Sequence, residues 1–248
     1  MRRFFVKKIY PEQGFCSIIK DEARHISKVL RMKKGDPLIL MDQDGLNFRS
    51  VIEYVSPQKV IVSLQSPVVF PERQSPELVI CQSVIKSHSM DYVIQKTSEL
   101  GVDTVIPFCS ERTVVRLDEN GYHKRVGRWQ RISQNSAKQC RRPVPAKIEP
   151  VISFDTLVKQ FNDDKDVLKI ILWEQEDSRH IKAVLNPLPE KIVGMIGPEG
   201  GFTKSEVEAA KEAGFIAVSL GARILRSETA ATVFAAIVQY EFGDLSAG

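Results

Sequence analysis

The sequence predicts a chain in two parts: a small all-β domain of short strands, then an α/β domain built on a mostly parallel sheet. Residues 1 to about 70 contain short runs rich in Val, Ile and Leu that are separated by turn signals. A proline-rich stretch, "SPVVFPERQSPE", then interrupts both helix and strand patterns. After it, apolar strand runs alternate with helical patterns, and this alternation is typical of an α/β domain.

Short strands joined by short turns favour a small barrel for the first part. The predicted strands are "DPLILMD", "NFRSVIEYV" and "KVIVSLQ", and the turns between them are "DQDG" and "SPQK". One helix is predicted within "DEARHISKVLRMKKGD", because Ile26, Val29 and Leu30 have helical spacing and Gly35 would end it. We expect the domain boundary in the proline-rich stretch, which gives domains of residues 1–71 and 72–248.

The second part alternates strand and helix signals. Helices are predicted at "MDYVIQKTSELG" and at about Tyr122 to Gln139. Thr203 and Glu206 form a capping-box pattern at the start of a further helix, and the last helix is predicted over Ser227 to Phe242. The predicted strands are "LVICQSVI", "DTVIPF", "VLKIILWE", "KIVGMIG" and "FIAVSLG".

The composition, 43% hydrophobic and 27% charged, is that of a globular protein. A net charge of +4 permits a nucleic-acid partner without requiring one. The four cysteines lack the spacing of a zinc site or a redox motif, and the four histidines are scattered, so no metal is expected. No signal peptide and no run long enough to span a bilayer is found, so we expect a cytoplasmic protein without membrane contact.

The stretch "MIGPEGGFTKSE" is a glycine-rich turn between a predicted strand and a predicted helix. Gly197, Gly200 and Gly201 would allow the backbone to turn sharply and to approach a ligand closely. The stretch matches neither the P-loop nor the dinucleotide fingerprint. Glu199 disfavours a pyrophosphate and tolerates a cationic or neutral ligand. Taken alone, the stretch is equally consistent with a tight turn before a well-capped helix.

A second strand-to-helix junction, "SLGARILRSETAA", strengthens the interpretation as a ligand site. Ile224 and Leu225 are apolar residues in a predicted loop, where they could cover a flat apolar group such as an adenine. The alternative is that both are ordinary core residues. Both junctions follow sheet strands, and ligands of open α/β sheets bind outside the carboxyl ends of the strands.

Two elements favour RNA as a partner. The stretch "HKRVGRWQRISQNSAKQCRRPVPAK" is rich in Lys and Arg and contains no Asp or Glu, which suits a phosphate backbone. At the start of the chain, "MRRFF" interleaves cations and aromatic residues. The alternative is a solvated helix face. We expect contacts with RNA from Arg2, Arg3, Lys138, Arg141 and Arg142.

The last predicted helix, "SETAATVFAAIVQYEF", carries apolar or small residues on almost every face. Such a helix is buried, either within one subunit or partly against a second one.

Several motifs in the same order resemble the ribosomal RNA small subunit methyltransferase E family, over nearly the whole length. They are "MRRFFV", "HISKVLRMKKGD", "QKTSELGVDTVIPFCSERTVV", "RWQRISQNSAKQCRR", "IGPEGGFTKSE" and "LGARILRSETAA". The chain departs from the family pattern at Ala222, where proline is usual, and at Ser227, where threonine is usual.

The resemblance implies a fold and an activity that the residue patterns do not supply. The first domain would be a PUA-like β-barrel that binds RNA, and the second a SPOUT-type knotted parallel sheet flanked by helices, with a C-terminal trefoil knot. The implied activity is S-adenosylmethionine-dependent methylation of N3 of a uridine in 16S ribosomal RNA, within the small ribosomal subunit. The resemblance also implies a homodimer with the site near the subunit interface.

The resemblance also directs the assignment of site residues. Arg226 is the candidate catalytic residue, expected to stabilise negative charge on a uracil oxygen; its rival role is a salt bridge with Glu199 or Glu228. No general base is evident, because the expected role of Glu199 is to bond loop amides. The residues expected to bind S-adenosylmethionine are Leu172, Glu174, Ile196, Gly197, Pro198, Glu199, Gly200, Gly201, Leu220, Gly221, Ile224, Leu225, Arg226, Thr229 and Ala230.

Two other functions remain open from the sequence. The first is a non-catalytic RNA-binding factor for ribosome assembly that keeps the fold without the chemistry. The second is a dinucleotide-dependent enzyme on a doubly wound sheet, which the missing fingerprint disfavours.

Overall fold

A computed structural model describes residues 1–70, 75–162, 164, 166–243 and 245. The chain divides into two compact units. The first comprises Met1–Glu72 together with Ala137–Pro145, and the second comprises Arg73–Ser136 and Ala146–Gly248. The expected boundary between residues 71 and 72 lies outside the described residues and stays a prediction. Residues Ala137–Pro145 belong to the first unit, which the sequence patterns did not predict.

The first unit is built on a curled sheet whose strands, within its described part, are β1 (Arg2–Phe5), β2 (Phe15–Ile19), β3 (Pro37–Met41), β4 (Asn47–Val55) and β5 (Lys59–Pro67). Their order is β1-β3-β4-β5-β2; β1 pairs with β3 in parallel and the other pairs are antiparallel. Register shifts between β4 and β5 mark bulges, which bend a strand and increase its twist. The three strands predicted from short runs rich in Val, Ile and Leu, β3 to β5, are confirmed.

The helix predicted in this unit is shorter than expected. It comprises α1 (Lys20–Arg24) and a π-helical turn over His25–Val29, so the predicted end at Gly35 is wrong. The Leu30 amide donates to the His25 carbonyl at 2.9 Å, and Arg31 then adopts a left-handed φ of 51°, which ends the helix. Of the predicted apolar face, Ile26 is buried, whereas Val29 is 69% exposed.

The second unit contains the predicted parallel sheet. Its strands, among the residues described, are β6 (Glu77–Ser83), β7 (Thr104–Cys109), β8 (Lys147–Ile148), β9 (Ile152–Ser153), β10 (Val167–Leu172), β11 (Lys191–Ile196) and β12 (Ile216–Val218). The order is β12-β10-β11-β6-β7-β8, and β9 also pairs with β7. Every pair in this sheet is parallel.

Helices cover both faces of this sheet, as a parallel sheet requires. They are α2 (Ser87–Glu99), α3 (Glu119–Cys140), α4 (Phe154–Phe161), α5 (Lys204–Glu212) and α6 (Ser227–Phe242). Leu78 and Ile80 of β6 lie in an apolar cluster with residues of α2 and α6, whereas Val79 and Cys81 lie in a cluster with residues of α4 and α5. The alternation follows from the two-residue period of a strand. No helix within the described parts of the chain is both long and apolar enough to cross a membrane.

The helix α6 approaches the centre of the sheet closely at one glycine. A Cβ atom on Gly194 of β11 would lie 2.2 Å from Cε1 of Phe234, a ring that is fully buried. Gly194 therefore allows α6 to pack against β11, next to the strand end from which the glycine-rich loop leaves the sheet.

Candidate active site

The carboxyl ends of three neighbouring strands, β10, β11 and β12, open into one cavity of about 650 Å³. Its walls are residues 172–174, 196–202 and 218–228, together with Lys86, Ser89 and Ala230. Both strand-to-helix junctions singled out in the sequence therefore line the same space. This volume lies in the range of small-molecule sites, and the position outside the strand ends is the usual one for α/β sheets.

The structure brings together nearly all residues that were expected to form a ligand pocket. The expected residues that line the cavity are Leu172, Glu174, Ile196, Gly197, Pro198, Glu199, Gly200, Gly201, Leu220, Gly221, Ile224, Leu225, Arg226 and Ala230. Thr229 is exposed on the first turn of α6 and is not among the lining residues. That these residues bind a cofactor stays a prediction.

The loop after β11 requires glycine at one position above all. Gly201 has a left-handed φ of 67°, and a Cβ atom there would lie 2.6 Å from Oε1 of Glu174. Both the backbone conformation and the close approach of the carboxylate exclude a larger residue.

Two side chains and one backbone amide from other parts of the chain fix the carbonyl and carboxylate groups of this loop. The Ser227 hydroxyl donates to the Gly197 carbonyl at 2.6 Å and accepts from Nε2 of the buried Gln82 at 2.9 Å. Nη1 of Arg112 donates to the Gly200 carbonyl at 2.9 Å. Oε1 of Glu199 accepts from the Lys86 amide at 3.2 Å. Glu199 therefore bonds an amide at the start of α2, not the loop amides expected from the sequence.

The predicted capping box at the start of α5 is present and has a second function. Glu206 is buried; its Oε2 accepts from the Thr203 amide at 2.9 Å, while Oε1 accepts from the Glu111 amide at 2.8 Å. A single carboxylate thus caps α5 and ties it to the loop that follows β7.

The cavity wall formed by residues 218–228 is more exposed than the wall formed by residues 196–202. Ile224 is 83% exposed, Leu225 is half-buried, and Arg226 is an exposed residue at the N-cap of α6. Arg226 forms no ion pair with Glu199, Glu228 or any other residue in the described ranges. The rival role of Arg226 as a salt-bridge partner therefore finds no support.

The sequence patterns missed Lys86, Ser89 and Arg112 at this site. Lys86 and Ser89 line the cavity from the start of α2, and Arg112 follows β7. Their positions after β6 and β7 were the available signal, because those strand ends lie at the same edge of the sheet.

The residues expected to contact RNA lie in the first unit and differ in exposure. Arg2 and Arg141 are exposed, whereas Arg3 and Arg142 are half-buried. Lys138 is 16% exposed and forms an ion pair with Glu22 at 2.5 Å. In the second unit, Arg128 of α3 is also engaged, because Asp91 accepts two of its hydrogen bonds, at 3.1 and 2.6 Å. Part of the basic stretch is therefore neutralised within the protein.

No group of three or more metal-ligating side chains occurs within the part of the chain that the structure describes. The polar groups around the cavity are backbone groups, hydroxyls, an indole, carboxylates and the cations of Lys86, Arg223 and Arg226, a set suited to an organic ligand.

Comparison with known proteins identifies the class. A family model described as an RNA methyltransferase domain matches residues 72–239, and an RNA methyltransferase PUA domain matches residues 18–65. The fold and the match together define a two-domain RNA methyltransferase.

Full-length relatives give the particular family. The ribosomal RNA small subunit methyltransferase E of Bacillus subtilis is 32% identical over 252 residues, which cover 97% of each chain. The crystal structure of a ribosomal RNA small subunit methyltransferase E from Neisseria gonorrhoeae bound to S-adenosylmethionine has a TM-score of 0.88 and 28% identity, covering 98% of this chain and 99% of that one. A methyltransferase from Legionella pneumophila, in complex with the same cofactor, has a TM-score of 0.86 at 30% identity, with 96% of each chain covered. The present chain belongs to the ribosomal RNA small subunit methyltransferase E family.

Proposed function

We propose that the protein transfers a methyl group from S-adenosylmethionine to N3 of a uridine in 16S ribosomal RNA of the small ribosomal subunit. The observation that carries the proposal is the cavity in which both strand-to-helix junctions, "MIGPEGGFTKSE" and "SLGARILRSETAA", converge at the strand ends. Its support comes from two relatives of similar fold whose solved structures contain bound S-adenosylmethionine. Work on ribosomal RNA would place the protein in the cytoplasm.

The residues present fit this cofactor. The cavity is lined by three carboxylates, those of Glu174, Glu199 and Glu228, and by the three cations of Lys86, Arg223 and Arg226. It therefore presents both signs of charge to S-adenosylmethionine, which carries a sulfonium, an ammonium and a carboxylate. Gly221 leaves room for close approach of a ligand to the backbone, because a Cβ atom there would meet no atom within 4 Å, and Leu225 offers an apolar surface to an aromatic ring. When bound, S-adenosylmethionine supplies an electrophilic methyl group on a sulfonium.

The contribution of the protein would be positioning and charge stabilisation. N3 of uracil carries a proton in the neutral base, and loss of this proton leaves negative charge on the ring oxygens. The guanidinium of Arg226 is exposed at the cavity without a carboxylate partner in the described residues, so it could donate to one of those oxygens. Glu199 is held by the Lys86 amide and serves to fix the loop; no residue is assigned as the general base.

The Arg226 assignment is tested by replacing Arg226 with Ala. Turnover should be abolished, while the affinity for S-adenosylmethionine, measured by calorimetry, should remain within a few-fold of the original. The matched control is Arg223→Ala, because Arg223 also lines the cavity and is exposed. Persistent turnover in the Arg226 variant, or equal loss in both variants, contradicts the catalytic assignment.

The first unit would bind the RNA. Arg2 and Arg141 present exposed cations for phosphate, and the PUA domain match covers part of this unit. In this proposal, residues 1–71 form an RNA-binding domain and residues 72–248 form the methyltransferase domain. We also propose a C-terminal trefoil knot in the second domain, because the resemblance to the methyltransferase E family implies one.

A homodimer is part of the proposal. Along α6, Ala230, Val233 and Ile237 are only half-buried, Tyr240 is 66% exposed, and their spacing places them on one face. Ile224, 83% exposed at the cavity rim, precedes this face. A second subunit that covers this stripe would also close the more open wall of the cavity.

The alternative is a ribosome assembly factor that binds RNA without chemistry. Calorimetry separates the two functions. An enzyme binds S-adenosylmethionine in the cavity, whereas a pure RNA-binding factor gives no heat of binding with it.

A further inference from the structure

The segment that follows α3, residues 141–143, is here named the arginine turn. Three successive carbonyls of this turn accept hydrogen bonds from strand side chains of the first unit. Nη1 of Arg3 donates to the Arg141 carbonyl at 2.9 Å and to the Arg142 carbonyl at 3.2 Å. Nδ2 of Asn47 donates to the Pro143 carbonyl at 3.0 Å. The backbone of the turn therefore faces the sheet, and its position depends on side chains of β1 and β4.

The guanidinium of Arg3 is used inside the protein. The side chain is half-buried, it lies 5.7 Å from the centre of the Phe70 ring, and one nitrogen serves both carbonyls. Burial lowers the pKa of Arg3, and the nearby charge of Arg141 lowers it further. These features suit a structural cation better than a phosphate contact.

Arg141 has the opposite properties. Its side chain is exposed, and its backbone has a left-handed φ of 65°. An L-residue with a Cβ atom resists this conformation, which glycine adopts freely. Such strain persists only where surrounding contacts impose it, and it is concentrated at functional positions.

A second brace holds the helix that leads into the turn. Nζ of Lys138 lies 2.5 Å from Oε1 of Glu22, and both side chains are mostly buried. Lys138 therefore fixes the last turn of α3 against α1 in the first unit, and its charge is already paired.

We propose that Arg3 is a positioning residue, which holds the arginine turn in its strained conformation and thereby presents Arg141 to RNA phosphate. The inference rests on the proposed function, because RNA supplies the anion that Arg141 would meet. The cations that were expected to contact RNA then have two different roles. Arg141 contacts phosphate, whereas Arg3 and Lys138 hold the arginine turn in position.

A double-mutant cycle on the full-length protein tests the role of Arg3. The affinity for 16S ribosomal RNA is measured against salt concentration for Arg3→Gln, Arg141→Gln and the double variant, with Arg49→Gln of β4 as an exposed control. One phosphate contact contributes about 0.7 to 0.9 to the salt slope, which near physiological salt corresponds to about a fivefold change in affinity. Each single variant should lose about this much, and the double variant should lose no more than Arg141→Gln alone.

Two results would overturn the positioning role. One is an additive loss in the double variant with a second decrease in the salt slope, because Arg3 would then contact phosphate itself. The other is an unchanged affinity in Arg3→Gln.

The strain is tested without RNA by comparing Arg141→Gly with Arg141→Ala. Both variants lose the cation, and only alanine keeps a Cβ atom in the left-handed conformation. The glycine variant should melt about 2 to 4 °C above the alanine variant. Equal melting temperatures would overturn the strained turn. Wild-type protein that binds no RNA would instead contradict the proposed function, whatever the melting temperatures are.

Discussion

Replacing Ser227 with alanine removes the hydroxyl that joins the glycine-rich loop to the start of α6. This hydroxyl donates to the Gly197 carbonyl at 2.6 Å and accepts from Nε2 of Gln82 at 2.9 Å. Ser227 and Gln82 are both buried, so water cannot readily replace the lost group. The main loss is the partner of the Gly197 carbonyl, because Gln82 keeps its bond to the Ser83 carbonyl at 2.9 Å.

The size of the effect follows from these contacts. A buried group that loses its hydrogen-bond partner costs about 1 to 3 kcal/mol, so the free energy of unfolding should fall by about 2 kcal/mol. For a chain of this size, each kcal/mol corresponds to roughly 2 to 4 °C, and the melting temperature should fall by about 4 to 8 °C. Because Gly197 lines the cavity, we also expect the Kd for S-adenosylmethionine to rise about tenfold, which corresponds to about 1.4 kcal/mol.

Two variants serve as controls for this measurement. Ser205→Ala removes a hydroxyl from the exposed first turn of α5 and should change stability by less than about 0.5 kcal/mol. Ser227→Thr keeps the hydroxyl, and should bind the cofactor as the original protein does. If Ser227→Ala and Ser205→Ala have the same Kd for S-adenosylmethionine and the same melting temperature, the bond from the Ser227 hydroxyl to the Gly197 carbonyl does not hold the loop, and the reasoning is refuted.

Two further predictions concern packing around the sheet, and thermal unfolding measures both. Gly194→Ala places a methyl group 2.2 Å from the buried Phe234 ring and should cost about 1 to 3 kcal/mol or more; adding Phe234→Leu should recover part of this, and no recovery would contradict the close contact. Lys169→Met removes a buried ammonium that donates to the Phe161 and Ala213 carbonyls at 2.8 and 2.9 Å, at the ends of α4 and α5, and should cost about 2 to 3 kcal/mol. The exposed Lys204→Met should cost almost nothing, and equal melting of the two lysine variants would show that the buried bonds are unimportant.

The sequence predicted best where the signal was local and repeated. The last helix was predicted over Ser227–Phe242 and has those bounds, since its apolar pattern runs without interruption from one junction to the end. The capping box at Thr203 and Glu206 was also readable, because both partners lie within one helical turn. Parallel strands were predicted from continuous apolar runs, which a sheet covered on both faces requires.

One helix was missed although its signal was present. Phe154, Leu157 and Phe161 are buried on one face of α4, and Ser153 caps its start by accepting from the Thr156 amide at 3.1 Å. The segment has eight residues, and a single apolar stripe of that length is easily read as part of a loop.

Contacts between distant parts of the chain could not be read from local patterns. The bonds from Arg3 to the arginine turn join residues separated by 138 and 139 positions, and Arg112 reaches Gly200 over 88 positions. Ser227 illustrates the limit. It is the first residue of α6, directly after the N-cap Arg226, yet its hydroxyl bonds the carbonyl of Gly197, 30 positions away.

Identification of the methylated nucleoside tests the central claim most directly. Purified protein and labelled S-adenosylmethionine are incubated with assembled small ribosomal subunits, with naked 16S ribosomal RNA and with transfer RNA, and the digested products are analysed. The proposed function predicts label in 3-methyluridine from 16S ribosomal RNA, and none from transfer RNA or in the Arg226→Ala variant. Label on a ribose oxygen, on another base or in transfer RNA would contradict it. Ribosomal RNA that stays unlabelled although the protein binds both S-adenosylmethionine and this RNA would also contradict it.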